Sequence, residues 1–180
     1  MDTINGYWYI AAAGSELKDK PIKRKVEGES LVLWRDHAGN PQALQDRCAH
    51  RGMALSAGKV VNGCIQCPYH GYAYDGEGRL KDIPSLCSGE RLPKVKSMKS
   101  FTVIEQQEQL WVWIGEGDPT REPFDFPHYG EEGWTTFFMQ TRFHAPVDML
   151  SLIHISEPTR QAEISYDVFC LKKKRGGGGG

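Results

Sequence analysis

Two short segments of the chain each combine a thiol with an imidazole: Cys48-Ala49-His50-Arg51-Gly52 and Cys67-Pro68-Tyr69-His70-Gly71, with sixteen residues between His50 and Cys67. Thiolates and neutral imidazoles together suit iron or zinc. Two of each meet the needs of a sulfide-bridged pair of unlike irons, in which thiolates hold one iron and imidazoles take their place on the other. A Cys-x-His step does not readily aim both side chains at one ion, yet one loop can serve two adjacent irons. The same four residues also satisfy a structural zinc ion. Zinc modules usually separate the ligands into C-x2–4-C and H-x3–5-H pairs, whereas each segment here mixes the two types, so the iron cluster is the favoured reading. The chemistry expected of Cys48, His50, Cys67 and His70 is one-electron transfer.

The neighbours of these four residues fit the same reading. Gly52 and Gly71 let the backbone turn close to a cluster, where a Cβ would crowd a bridging sulfide. Pro68 stiffens the second loop and withholds an N–H that would otherwise need a partner. Tyr74 is placed either to offer its hydroxyl to a cysteine sulfur or simply to pack in a strand. Arg51 either supports the loop and reaches a redox partner or forms a surface salt bridge. The chain has five cysteines, an odd number with no secretory signal, which favours metal binding over a disulfide framework. Cys64 makes a C-x2-C with Cys67, but the ligand set is complete without it, and a buried strand thiol is the better reading. Cys87 is expected in a loop and His37 in a solvated turn.

The elements that must position these loops read as short strands. Trp8 to Ala13 is apolar and aromatic and is broken by Gly14-Ser15. Ser30 to Trp34 is a short buried-type run closed by the turn formers of Asp36 to Pro41. Phe101 to Glu105 and Gln109 to Gly115 bracket a polar link, predicting a hairpin whose second arm, QLWVWIG, is apolar on both faces. A strand over Tyr72 to Tyr74 leads into the Asp75-Gly76, Glu77-Gly78 turn. No long amphipathic helix is visible. The architecture expected is mainly β, built from antiparallel sheets.

The 180 residues carry 39% hydrophobic and 25% charged side chains with a formal net charge of −1, the usage of a globular protein. That balance argues against nucleic acid or an anionic membrane as the main partner. No apolar run approaches the ~20 residues of a membrane span, and no signal peptide is visible, so a cytoplasmic location is expected.

CAHRGMALS and CPYHGYAYDGEGR resemble the two cluster-binding boxes of Rieske proteins. More narrowly, residues 7 to 148, with the opening WYIAAAGSEL, the approach SLVLWRDHAGNPQALQDRC and the later QLWVWIGE, resemble the N-terminal domain of Rieske non-heme iron oxygenase α-subunits. The resemblance implies a Rieske-type antiparallel β-sandwich with a small cluster-binding subdomain at 7–116, a linker at 117–133, and at 134–150 the first strand of a truncated α+β catalytic domain. It implies a [2Fe–2S] cluster on Cys48, His50, Cys67 and His70, and a mononuclear Fe(II) only in the full-length protein. A reductase or ferredoxin would donate electrons, a small and often aromatic substrate would be hydroxylated or demethylated, and the parent would be a homotrimer. The chain as it stands is expected to transfer electrons only. The rival readings are a free-standing Rieske ferredoxin and a small Rieske subunit of a reductase; Trp134 to Pro146 and the acidic, Pro-rich 117–133 speak against both.

Three departures from the high-potential Rieske proteins of respiratory complexes carry meaning. Their extra disulfide-forming cysteines are replaced here by Met53 and Tyr69, and the serine that bonds a cluster sulfide by Tyr72. Fewer hydrogen bonds to sulfur lower the potential, predicted near the low end of the range at around −150 mV. His144, Asp148 and His154 invite a 2-His-1-carboxylate reading. The family's triad lies further downstream, so they are not assigned to it. The segment Ser151 to Lys174 shows no sustained period; SLIHISEPTR and ISYDVFCLKKK resemble a translated sequencing-library adapter, and the chain ends in five glycines. Residues 151–180, Cys170 among them, are therefore expected to be non-native, with the genuine frame cut near Met149 or Leu150.

Overall fold

The computed structural model describes residues 6–87, 90–93, 97–143 and 164–173. The chain divides into two compact units, Met1–Asp125 and Phe126–Gly180. The strands of the first unit are β1 (Tyr7–Ala13), β2 (Ile22–Val26), β3 (Glu29–Arg35), β4 (Pro41–Gln45), β5 (Lys59–Val61), β6 (Cys64–Gln66), β7 (Ala73–Tyr74), β8 (Leu80–Asp82), β9 (Ser100–Phe101), β10 (Val103–Gln106) and β11 (Gln109–Ile114). They form three antiparallel sheets, in the orders β1-β11-β10, β2-β3-β4-β9 and β5-β6-β7-β8. The only helical pieces among the described residues are single 3-10 turns, at Gly14–Glu16 and Leu55–Ala57.

The period of β3 explains how the sheets stack. Successive side chains of a strand point to opposite faces. In ESLVLWR, Leu31 and Leu33 join one core with Ala43, Phe101, Leu110, Val112 and Ile114. Val32 and Trp34 join a second core with Leu44, Leu55, Ile65, Tyr74, Cys48 and Cys67. The sheet around β3 is thus a middle layer, apolar on both faces, with the β1-β11-β10 sheet on one side and the small β5-to-β8 sheet on the other. Leu31, Leu33, Val32 and Trp34 are all 0% exposed, and each such side chain contributes roughly 1.5–3 kcal/mol of transfer free energy. The expected sandwich with a small cluster-binding subdomain is this arrangement, and the subdomain is the β5-to-β8 sheet with its flanking loops.

The expected hairpin is present as β10 and β11, joined through Gln107-Glu108, but its first arm starts at Val103 and not at Phe101: Ser100–Phe101 pairs with β4, and the chain crosses between sheets at Thr102. A single apolar run conceals the crossing because each half finds a buried face. The first half of the 117–133 segment lies in the first unit and packs on it. The Arg121 carbonyl accepts a hydrogen bond from Trp8 Nε1 at 2.6 Å, the Arg121 guanidinium lies 4.4 Å from the centre of the Tyr7 ring, and Pro123 is buried. This return packs on Tyr7 and Trp8 of β1, and Trp8 in turn meets Trp113 of β11 edge-on at 5.7 Å.

In the second unit, β12 (Trp134–Phe143) pairs antiparallel with β13 (Ile164–Lys173). The strand read from WTTFFMQTRF is present. Ile164–Lys173 is also extended despite its lack of period, in keeping with its Ile, Val, Tyr and Phe content. Residues 144–150, the rest of the expected first catalytic strand, lie outside the described residues, as do His144, Asp148 and His154.

Candidate metal centre

The first box hangs between the middle sheet and the small one. Asp46, immediately after β4, is 7% exposed and accepts hydrogen bonds from the Ser56 backbone N–H and hydroxyl, both at 2.7 Å. One buried carboxylate therefore ties the start of the first box to the Leu55–Ala57 turn after it. The second box is the tip of the β6–β7 hairpin, whose register pairs Gln66 with Ala73 and Ile65 with Tyr74.

The two boxes fold alike. In the first, the Cys48 N–H donates to Met53 O and the Gly52 N–H to Cys48 O, both at 2.8 Å. In the second, the Cys67 N–H donates to Tyr72 O at 2.8 Å and the Gly71 N–H to Cys67 O at 3.1 Å. Each cysteine thus opens a turn closed by the glycine that ends the box. Gly52 and Gly71 have φ of 71° and 76°, the left-handed region that L side chains rarely adopt. Protein atoms also crowd these glycines. A Cβ at Gly71 would lie 2.6 Å from Pro84 Cγ, and one at Gly52 would lie 3.3 Å from Arg47 Nε.

Because the turns match while the histidine spacing differs by one residue, the four donors sort by type. Cys48 and Cys67 are each 3% exposed, and the Cys67 thiol hydrogen-bonds to Cys48. His50 and His70 are exposed, their ring centroids 4.6 Å apart at 61°. Thiol lies with thiol inside and imidazole with imidazole outside. Among the described residues, no three His, Cys, Asp or Glu side chains converge as donors on one ion. Two bridged irons of unlike ligation need one thiolate pair and one imidazole pair. The donor set fits a two-iron cluster.

Burial is the main influence on the Cys67 thiol and pushes its pKa up; the backbone N–H groups of Tyr69 and His70, which bond its sulfur, oppose that. Pro68 contributes no N–H, so these are the first two donors the loop offers. The Tyr74 hydroxyl sits 3.4 Å from Cys48 Sγ. Tyr74 is 0% exposed, so the strand-aromatic and sulfur-partner readings both hold. Burial, followed by this contact with Cys48, raises its pKa. The pKa of His70 is lowered, first by desolvation and then by the charges of His50 and Arg51. Arg51 itself is exposed and forms no ion pair among the described residues.

Two aromatic contacts have no counterpart in the sequence pattern. Tyr72 stacks on His50, centroids 4.6 Å apart and planes 9° apart, and Tyr69 tilts over His70 at 3.8 Å and 35°. Offset aromatic pairs contribute about 0.5–1.5 kcal/mol beyond area burial. Cys64, Cys87 and His37 stay at the periphery. Cys64 lies half-buried on β6, Cys87 is an exposed loop thiol, and His37 is in an exposed turn anchored by Asp36. No helix among the described residues is long and apolar enough to cross a membrane.

The chain resembles known proteins over this same region. It is 39% identical over 131 residues to the oxygenase component of dicamba O-demethylase from Stenotrophomonas maltophilia, covering 72% of this chain and 38% of that protein. It is 36% identical over 124 residues to the chloroplastic chlorophyllide a oxygenase of Chlamydomonas reinhardtii, covering 68% of this chain and 19% of that one. The crystal structure of dicamba monooxygenase bound to 3,6-dichlorosalicylic acid superposes with a TM-score of 0.71 at 35% identity, covering 81% of this chain and 43% of that chain. The chain thus spans less than half the length of these relatives. The family model of the Rieske [2Fe-2S] domain matches residues 7–102, which include both boxes and all four paired donors; the chain belongs to the Rieske [2Fe–2S] family.

Proposed function

We propose that Cys48 and Cys67 hold one iron of a [2Fe–2S] cluster and His50 and His70 the other, and that this domain is the electron relay of a terminal oxygenase. The sorting of donors into a buried thiol pair and an exposed imidazole pair carries the reading. When bound, such a cluster supplies one-electron exchange. The thiols sit in the second core, where Trp34 and Leu55 exclude water, and the exposed imidazoles give electrons a short route to partners at the surface. Arg47, Arg51 and Lys99 line a hollow of about 580 Å³ beside His50, a basic face suited to an acidic reductase or ferredoxin.

In the whole protein, electrons from a reduced nicotinamide would reach this domain through such a donor. They would leave for a mononuclear Fe(II) that activates O2 to hydroxylate or demethylate a small aromatic substrate. The naming of the dicamba O-demethylase relative as an oxygenase component supports this division of labour. A homotrimeric parent and a cytoplasmic location complete the proposal.

Protein made anaerobically with iron and sulfide is expected to be coloured, with about two irons and two sulfides per chain and, once reduced, the electron paramagnetic resonance signal of a mixed His/Cys cluster. Colourless protein carrying zinc would overturn the assignment. The midpoint potential is expected near −150 mV. A hydroxyl donated to a thiolate stabilises the more negative, reduced state, so its loss lowers the potential. Tyr74→Phe is expected to lower it by about 45 mV, the equivalent for one electron of a hydrogen bond worth about 1 kcal/mol. Spectroelectrochemical titration checks this, and an unchanged potential would remove the Tyr74 hydroxyl from the set of cluster partners.

A further inference from the structure

We propose that Tyr72 is the positioning residue of His50: its ring fixes the plane of that imidazole and so holds the exposed half of the cluster together. The inference rests on the ligand assignment above and goes beyond it. A histidine bound to metal is ordinarily oriented by a hydrogen bond from its second ring nitrogen. Among the described residues His50 makes no such bond, and it sits in an exposed turn. What the structure does place against it is aromatic rings. The Tyr72 ring lies 4.6 Å away and within 9° of parallel on one side, and the His70 ring meets it edge-on at 4.6 Å.

Tyr72 is suited to this work by where it is anchored. It is half-buried and packs against the second core. Its backbone carbonyl accepts the hydrogen bond from Cys67 N–H that closes the second box. The residue thus belongs to one box and grips the histidine of the other, so the two loops are joined through a side chain as well as through the metal. Tyr69 offers His70 no comparable hold, because it is 58% exposed and next to His70 in the chain.

Two variants separate stacking from core packing. Tyr72→Phe keeps the aromatic face, whereas Tyr72→Leu fills the core but removes it. The readouts are the rate of iron loss to an excess of chelator, the linewidth of the reduced-cluster paramagnetic resonance signal, and far-ultraviolet circular dichroism as a control on folding. Tyr72→Phe is expected to match the unaltered chain. Tyr72→Leu is expected to keep its sheets, lose iron about tenfold faster and show a broadened signal, the size of effect typical of residues that orient a metal ligand. Equal iron loss and linewidth in the Leu variant would overturn the inference, as would a Phe variant that behaves like Leu. A Leu variant without native circular dichroism would show a role in folding the core and would also overturn it. If the unaltered chain never shows a mixed His/Cys signal, the ligand assignment itself fails, which is a distinct result from a signal indifferent to Tyr72.

Discussion

Cys67→Ala is expected to abolish the visible colour and to reduce bound iron at least about tenfold, while Cys64→Ala keeps both. The size rests on the loss of a direct ligand, since even residues that only orient a ligand typically cost about 10–100-fold in metal affinity. The two cysteines are three residues apart and form a tempting C-x2-C, yet the fold gives them different tasks. Cys64 opens β6, paired with Val61, and is half-buried. Cys67 opens the second box, is 3% exposed, hydrogen-bonds to Cys48, and has the Tyr69 and His70 N–H groups aimed at its sulfur. Those N–H groups stabilise a thiolate, the form a metal requires. On the proposed assignment, removing Cys67 would leave one iron with a single protein ligand. His50→Ala is expected to do the same to the second iron. Because metal binding is coupled to folding, both variants are also expected to melt at lower temperature than the cluster-bound chain. Iron analysis and absorption spectra on the three variants decide the matter; colour lost in Cys64→Ala and kept in Cys67→Ala would reassign the ligand.

The chemistry was legible in the sequence because it depends on residue types at short spacing. Cys-x-His and Cys-x-x-His place their donors on single loops, and no tertiary knowledge is needed to see that thiolates and imidazoles occur two and two. Contacts made between the loops were not legible. The stack of Tyr72 on His50 joins two boxes separated by sixteen residues, so no local pattern announces it. Asp46 likewise looks like an ordinary turn residue until Ser56 is brought to it. Among the strands, those apolar on both faces, β3 and β11, stood out. β2, with alternating exposed charges in IKRKV, and the three-residue strands β5, β6 and β8 of the small sheet did not, because their apolar periodicity is too short or too diluted. Phe101 and Val103 read as one strand because periodicity records burial and is blind to which sheet supplies it.

The middle layer predicts a difference between adjacent residues. Trp34 and Leu33 are both 0% exposed and neighbours on β3, but they face different cores. Trp34→Ala is expected to cost about 3–5 kcal/mol from lost burial and the cavity left behind. It also strips the Gly63 carbonyl of the indole N–H that donates to it at 3.0 Å, adding about 1–3 kcal/mol if that oxygen stays buried. Against a total stability of about 5–15 kcal/mol, that is a large share. The damage falls on the core that contains Cys48, Cys67 and Tyr74. Leu33→Ala is expected to cost about 2–5 kcal/mol, but in the core shared with β1 and β11. In urea, Trp34→Ala should therefore lose visible absorption well before its far-ultraviolet circular dichroism falls, because the small sheet and its loops open first. Leu33→Ala should lose both together at a reduced midpoint. Coincident transitions in Trp34→Ala would mean that the two cores unfold as one cooperative unit, and that the cluster loops draw no separate stability from the sheet beneath them.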